Sequence, residues 1–378
     1  MGKKNVLIIS LFPLHNGPRI IREIDILKLK YNITAVGASA PHDPTIEYYP
    51  LVKYDYSIAD KIFRKLYRII TGNLYTGISF YIDRQFQNLI NKVKPDYVII
   101  HSPVHLPYFL RSRIRKYKVI FNAHEYHPLE FDENGTWLKL WGKYYYQLYR
   151  KFLPRVDLLI NVCKSISEKC EAEFGKSSLI IPNASGYQPH LTPSATNAPG
   201  PVKIIHHGGA NRERKIEIMI EAAQILGQNY QLDLMLTSSH EEYYSDLIKK
   251  AEKSSNVKII NPVPFDKIIP IINQYDIGLF NLPPTSYNYK VALPNKLFEF
   301  IQARLCIVVS PSIEMAQLVQ QYHLGVVSSD YTAAGIADAI KKLSFADIEQ
   351  YKKNSDMAAF ELSAEKYMSE FLKAMETI

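Results

Sequence analysis

The chain is poor in cysteine, and it has no long apolar run. Its three cysteines, Cys163, Cys170 and Cys306, stand far apart in 378 residues. Without a C-x-x-C pair they exclude a disulfide framework and a cysteine-built zinc site, and they fit a reducing compartment. No apolar run approaches the roughly 20 residues that span a bilayer. The stretch from Met1 to Leu11 faintly mimics a signal peptide. Pro13 and His15 cut it short, so a buried first strand is expected there. The D-x-D pair that usually holds Mg²⁺ under a diphosphate is missing, so no metal and no other cofactor is expected. His124-Glu125-Tyr126-His127 lacks the H-E-x-x-H order of a zinc protease. Neither G-x-G-x-x-G nor G-x-x-x-x-G-K-[ST] occurs, and no short repeat is visible.

What is present reads as a globular α/β protein. Hydrophobic residues make up 47% and charged residues 22%, and the length suits roughly two domains. The net charge of +8 is unevenly shared: residues 1–190 carry 27 Lys and Arg against 16 Asp and Glu, and the rest carry 18 against 21. The first half should therefore favour an anionic partner.

Strand-like runs alternate with helix-like ones, which implies parallel sheets built from β-α-β units. In the first half, strands are expected at Asn5–Leu11, Asn32–Val36, Tyr97–His101, Lys118–Phe121, Asp157–Val162 and Leu179–Ile181. Helices are expected around Pro18–Leu29, Ser57–Ile70, Ser79–Val93, Leu106–Tyr117 and Trp137–Phe152. A stretch holding Pro189, Pro193, Pro199 and Pro201 has linker composition. The alternation then restarts, and a single polar helix pattern runs from Ala346 to about Ala374. The expected domains are 1–185, a linker at 186–202, and 203–378, with the last helix free to pack on either domain. Two such doubly wound halves would face a cleft at their strand C-termini.

Four segments carry chemistry. Leu293-Pro294-Asn295-Lys296-Leu297-Phe298-Glu299 should open a helix whose free amides, with Lys296, suit a diphosphate, while Glu299 could accept from a sugar hydroxyl or simply face solvent. His206-His207-Gly208-Gly209-Ala210-Asn211-Arg212-Glu213-Arg214-Lys215 reads as a strand and a glycine turn into a basic loop, which would grip a phosphate at close approach or simply carry solvated charges. Gly17-Pro18-Arg19 joins the first strand to the first helix. His124 follows a strand, where it could meet a sugar or move a proton. Two basic aromatic clusters, Lys61–Arg68 and Lys139–Lys151, have the composition of a membrane interface; single-stranded nucleic acid is disfavoured because no recognised module accompanies them.

Together these residues resemble the GT-B-fold glycosyltransferases of family 4, most specifically from Tyr275 through Asn288-Tyr289-Lys290 and Leu293–Phe300 to Ser310-Pro311. The resemblance implies a nucleotide-sugar donor in the second domain and a saccharide or lipid-linked saccharide acceptor at the first. It implies retention of anomeric configuration and a role in cell-surface polysaccharide synthesis. A cytoplasmic protein, peripheral on the inner membrane face, fits that role. Glu299 would bind the ribose hydroxyls as the second glutamate of the family's E-x7-E element. Arg212 and Lys215 would neutralise the leaving diphosphate, with Gly208, Gly209 and Asn211 in the same loop. Asn295, Lys296 and Leu297 would lie at the donor, His124 near the reacting sugar, and Gly17 with Arg19 at the acceptor and phosphate loop. The first glutamate of the element falls at Val291, so donor-sugar contacts would come from Tyr289, Lys290 or Asn295. That departure leaves a non-catalytic subunit as an alternative, and a sugar-nucleotide epimerase as a weaker one.

Overall fold

The computed structural model describes residues 2–15, 17–51, 56–112, 114–196, 199–238 and 240–378. The chain divides into two compact units, Met1–Pro182 with Met368–Ile378, and Asn183–Tyr367. The elements of the first are β1 (Asn5–Ile9), α1 (Pro18–Leu27), β2 (Asn32–Gly37), β3 (Glu47–Pro50), α2 (Ile58–Thr71), α3 (Phe80–Val93), β4 (Tyr97–Ile100), α4 (Leu106–Phe109), β5 (Lys118–Asn122), α5 (Gly135–Trp137), α6 (Lys143–Phe152), β6 (Leu158–Asn161), α7 (Lys164–Phe174) and β7 (Leu179–Ile180). In the second follow β8 (Val202–Ala210), α8 (Glu217–Leu226), β9 (Tyr230–Ser238), α9 (Glu241–Ala251), β10 (Val257–Ile260), α10 (Phe265–Ile272), β11 (Ile277–Phe280), α11 (Tyr287–Lys290), α12 (Asn295–Gln302), β12 (Cys306–Val309), α13 (Ile313–Gln321), β13 (Gly325–Val327), α14 (Ala333–Lys341), α15 (Phe345–Ala358) and α16 (Ala364–Thr377), whose last turns belong to the first unit.

Each sheet is parallel throughout. The first has the order β3-β2-β1-β4-β5-β6-β7 and the second β10-β9-β8-β11-β12-β13. The central strands are continuous apolar runs such as Val6–Ile9 and Cys306–Val309, buried along their length because helices cover both faces. In each unit the strand order reverses beside the first strand. The crevice left there, at the carboxyl ends of β1 and β4 or of β8 and β11, is where ligands enter open α/β sheets.

Several expected elements differ. The helix foreseen over Leu106–Tyr117 stops at Phe109: the Ser112 hydroxyl accepts from the Ile114 amide at 3.1 Å, a local bond that competes with helical pairing. The single terminal helix is two, because the chain turns at Ala359–Ser363, where buried Leu362 anchors it and Ser363 Oγ accepts from the Lys366 amide at 3.3 Å. Strand β3 and helices α7 and α14 had no clear sequence signal.

The proline-rich stretch is a strap rather than a free tether. Gln188 N donates to Gln302 Oε1 at 3.1 Å, buried Arg304 donates to Gln188 O at 2.8 Å, and Ser194 Oγ donates to Asn273 O at 2.7 Å. Residues 197–198 within it lie outside the described residues.

Candidate active site

At the crevice of the second unit, β8 runs straight through both glycines to Ala210. Gly208 adopts φ +129°, a conformation that favours glycine. A side chain there would also collide with Lys296, since a Cβ would stand 2.3 Å from Lys296 Cε. Lys296 is the second residue of α12. That helix sits tightly on β11 because Gly278 leaves room for the Phe300 ring, which a Cβ would approach to 2.5 Å. The Lys296 ammonium lies 5.5 Å from the centre of the Phe280 ring. Burial, and secondarily the Arg214 charge, lower its pKa to about 8, with Glu299 opposing.

Glu299 does not face solvent. It is 3% exposed, within a helix buried from Leu297 to Gln302. Its Oε2 lies 3.2 Å from His207 Nε2. Burial, then the Lys296 and His206 charges, hold His207 well below the usual histidine range. His206 Nδ1–H donates to the Leu279 carbonyl, 3.0 Å away, and its ring stacks on Phe280.

The turn after β8 divides its cations. Asn211 Oδ1 accepts from the Glu213 amide at 3.0 Å and thereby caps the tight turn Arg212–Arg214. This turn brings Arg214 back, so that its Nη1 donates to Gly209 O at 3.2 Å. Arg212 points away, exposed, over the Tyr243 ring at 5.2 Å and 3.8 Å from Glu242. Lys215 is exposed, with φ +48°. Tyr289 OH donates to Glu213 Oε2 at 3.2 Å, which brings Tyr289 to the same turn. Lys290 is exposed and Asn295 is half-buried. Leu297 is in the core, and its amide is taken by Pro294 O at 3.1 Å. Val291, where the motif would have a glutamate, is 2% exposed.

The first unit has a different constellation at the same place in its sheet. Helix α1 presents Glu23 on the face that also buries Ile20, Ile24 and Leu27. Glu23 Oε1 lies 3.0 Å from His101 Nε2, and Oε2 accepts from Asn122 Nδ2 at 2.6 Å. His101 Nδ1 in turn lies 2.8 Å from His124 Nε2. Arg19 donates to Asn122 Oδ1 at 2.5 Å. An ionised carboxylate only accepts, which places the His101 proton on Nε2; His101 Nδ1 then accepts from His124 Nε2–H and leaves a lone pair on His124 Nδ1. Burial first, then the charges of Arg19, His101 and His127, push the His124 pKa well below its ordinary value, so the ring is neutral at pH 7. Gly17 caps α1 with φ −89°, and a Cβ there would meet only ordinary contacts. The chain itself therefore does not require glycine at that position, while Asn16 beside it lies outside the described residues.

Past β1 and β4 opens a cavity of about 480 Å³ lined by Leu11, Tyr56, Arg64, Tyr75, Trp141 and Tyr144, among others. Part of the second basic aromatic cluster thus forms cavity walls. Tyr149, from the same cluster, is buried against His127, whose Nδ1 is 2.8 Å from its hydroxyl.

The structure brings together Gly208, Gly209, Tyr289, Lys296 and Glu299 in one unit and Arg19 and His124 in the other. Arg212, Lys215 and Lys290 are exposed, and Leu297 lies in the core. Sequence reasoning gave no role to Arg214, His207, Glu23 or His101, although the first three lie in segments it singled out. An acid inside the apolar stripe of α1 was the available signal for Glu23. No sequence signal separated Arg214 from Arg212, because the capped turn decides which one folds back.

Residues 31–184 match the model of Glycosyltransferase Family 4. All but the last two residues of that match lie in the first unit, whereas the most specific motifs lie in the second. No curated protein sequence matches the chain. Among solved structures, sucrose-phosphate synthase from Thermosynechococcus elongatus is similar at 13% identity and TM-score 0.73, over 99% of both chains. A glycosyltransferase from Rickettsia africae gives 10% identity and TM-score 0.70, covering 99% of this chain and 98% of that one. A trehalose-6-phosphate structure from E. coli, bound with UDP-2-fluoro glucose, gives 12% and 0.66 over 99% of both. At such identities the likeness establishes architecture. Two doubly wound parallel sheets give this chain the GT-B fold, and the match over residues 31–184 makes it similar to Glycosyltransferase Family 4.

Proposed function

We propose that the second unit binds a nucleotide sugar, with its diphosphate against the β8 glycines, Arg214, Lys296 and the N-terminus of α12. The observation that carries this reading is the meeting of Lys296 with Gly208 beside Arg214. Two cations and a side-chain-free strand end, at the switch point of a parallel sheet, suit an anion that needs close backbone approach. Glu299, buried and next to the first turn of α12, is the candidate partner of the ribose hydroxyls.

The chemistry follows from where charge appears. Negative charge grows on the departing phosphate as the glycosidic bond breaks. Cations fixed there beforehand stabilise the transition state more than the ground state. Arg212 and Lys215 are exposed on the same turn and are proposed to close on the phosphates only when donor is bound. The His124 imidazole, neutral and with Nδ1 as acceptor, would receive a hydroxyl of the sugar being transferred or of the acceptor. The aromatic cavity supports a saccharide or lipid-linked saccharide acceptor, because aromatic rings cover the apolar faces of sugars and lipids alike. The resemblance supports a retaining, metal-independent transfer in cell-surface polysaccharide synthesis. The excess positive charge of the first half supports peripheral contact with the inner face of the cytoplasmic membrane.

Thermal shift with UDP, GDP, CMP and dTDP tests the donor site. One nucleotide is expected to raise Tm, since it binds only the native state, and Lys296→Ala should abolish that rise. A shift unchanged in Lys296→Ala and Arg214→Ala would refute the site. Binding without glycosyl transfer to any acceptor would favour the non-catalytic alternative, to which the buried Val291 lends its weight.

A further inference from the structure

We infer that helix α2 is an interfacial anchor that lies on an anionic lipid surface. The inference rests on the membrane contact proposed above and names the surface that makes it. In α2, 14 residues long, no residue is buried. Its large apolar side chains face outward: Ile58 is 77% exposed, Ile62 55%, Phe63 50%, Leu66 51%, Ile69 68% and Ile70 78%. At 100° per residue these six fall on one broad face.

The side turned to the protein is the polar one. Among the described residues of α2, Asp60, Arg64 and Tyr67 alone are less than exposed, and they follow an i, i+4, i+7 stripe. Asp60 Oδ2 accepts from Ser79 Oγ at 2.7 Å. The Arg64 guanidinium donates to Tyr75 O at 3.3 Å and Gly77 O at 3.4 Å, and it lies 4.4 Å from the centre of the Tyr56 ring. Tyr67 meets Tyr75 edge-on at 5.3 Å. A surface helix normally does the reverse, burying its apolar stripe on the core. Here specific polar contacts hold the helix so that its apolar face is presented outward.

Charge selects the occupant. Lys61, Lys65 and Arg68 are exposed and border the apolar face, and the helix's one acid, Asp60, is engaged with Ser79 and Ser57. A second copy docked face to face would set two such rows of cations against each other. An anionic headgroup layer satisfies both features, taking the apolar face to the acyl boundary and the cations to the phosphates. Fourteen residues of helix are too short to span a bilayer, so the helix lies in the plane.

The full chain should co-sediment with vesicles of equal parts phosphatidylcholine and phosphatidylglycerol, and not with pure phosphatidylcholine. Lys61→Glu with Lys65→Glu and Arg68→Glu should weaken binding by at least about 100-fold. Ile62→Ser with Leu66→Ser and Ile69→Ser should abolish it, with Tm little changed because these side chains are more than half exposed. Phe63→Trp should show a blue-shifted emission on the anionic vesicles only. The nucleotide-induced Tm shift of each variant should match the parent, which separates failure of this inference from failure of the donor site. Equal binding to both vesicle types, binding unaltered in the serine variant, or a dimer that the serine variant dissociates would each overturn it.

Discussion

The two sheet crevices share one topology and hold opposite kinds of chemistry. In the first unit the crevice between β1 and β4 contains a relay of Glu23, His101 and His124, closed by Asn122 and Arg19. In the second, the crevice between β8 and β11 contains Arg214 and Lys296 against bare backbone, with Glu299 and His207 behind. The strand order decides where a ligand can enter. Short side-chain contacts decide what that ligand must be. A hydrogen-bonded relay suits hydroxyl groups, whereas two cations at a glycine strand end suit phosphate.

The comparison can be broken most forcefully at Gly208. Gly208→Val combines a φ of +129° with a Cβ 2.3 Å from Lys296 Cε. The strain alone costs about 1–3 kcal/mol, and Lys296 must leave. Nucleotide binding and transfer should fall below detection, while the first unit, which shares none of these contacts, keeps its secondary structure by circular dichroism.

Next in size is the division of labour among the turn's cations. Arg214→Ala should reduce kcat/KM by roughly 100- to 1,000-fold, the usual loss for a fixed transition-state donor. Lys215→Ala tests closure: a comparable loss, seen in kcat more than in donor affinity, is expected if it folds onto the phosphates. Near-normal turnover would assign the whole electrostatic role to Arg214 and Lys296.

In the first unit, Glu23→Gln keeps the shape but lets the side-chain amide donate, so the His101 and His124 tautomers lose their fixed order. A fall of roughly 100-fold in kcat is expected, with donor KM little changed, the lower end of what a positioned acid–base group contributes. Equal effects on nucleotide affinity would show that the relay belongs to the donor site instead.

The smallest effects are in pH dependence. Lys296 has its pKa lowered to about 8, so nucleoside diphosphate affinity should fall as pH rises through 8, and binding at that pH should take up protons, as buffer-dependent calorimetric enthalpies would report. Glu125 differs in sign. Burial, then Glu130, raises its pKa to about 7. Its ionised form is penalised only when folded, so stability should decline as pH rises from about 4.5 to 7. Glu125→Gln should flatten that slope in urea-unfolding series.

The alternation of β-branched runs with amphipathic stretches determined the parallel sheets, because a strand covered on both faces must be apolar throughout. The glycine pair, the Pro294-Asn295-Lys296 helix start and Glu299 were legible for a similar local reason: few residue types fit a backbone that approaches a ligand. What the sequence could not decide was direction. Burial of α12 on every side, not its pattern, turned Glu299 inward to His207. The capped turn at Asn211 chose Arg214 over Arg212. The contacts of Asp60, Arg64 and Tyr67 turned the apolar face of α2 outward, although its period matches that of a core helix. Local sequence sets which conformations are cheap, whereas side-chain orientation depends on neighbours distant in the chain, and those neighbours exist only once the sheets are assembled.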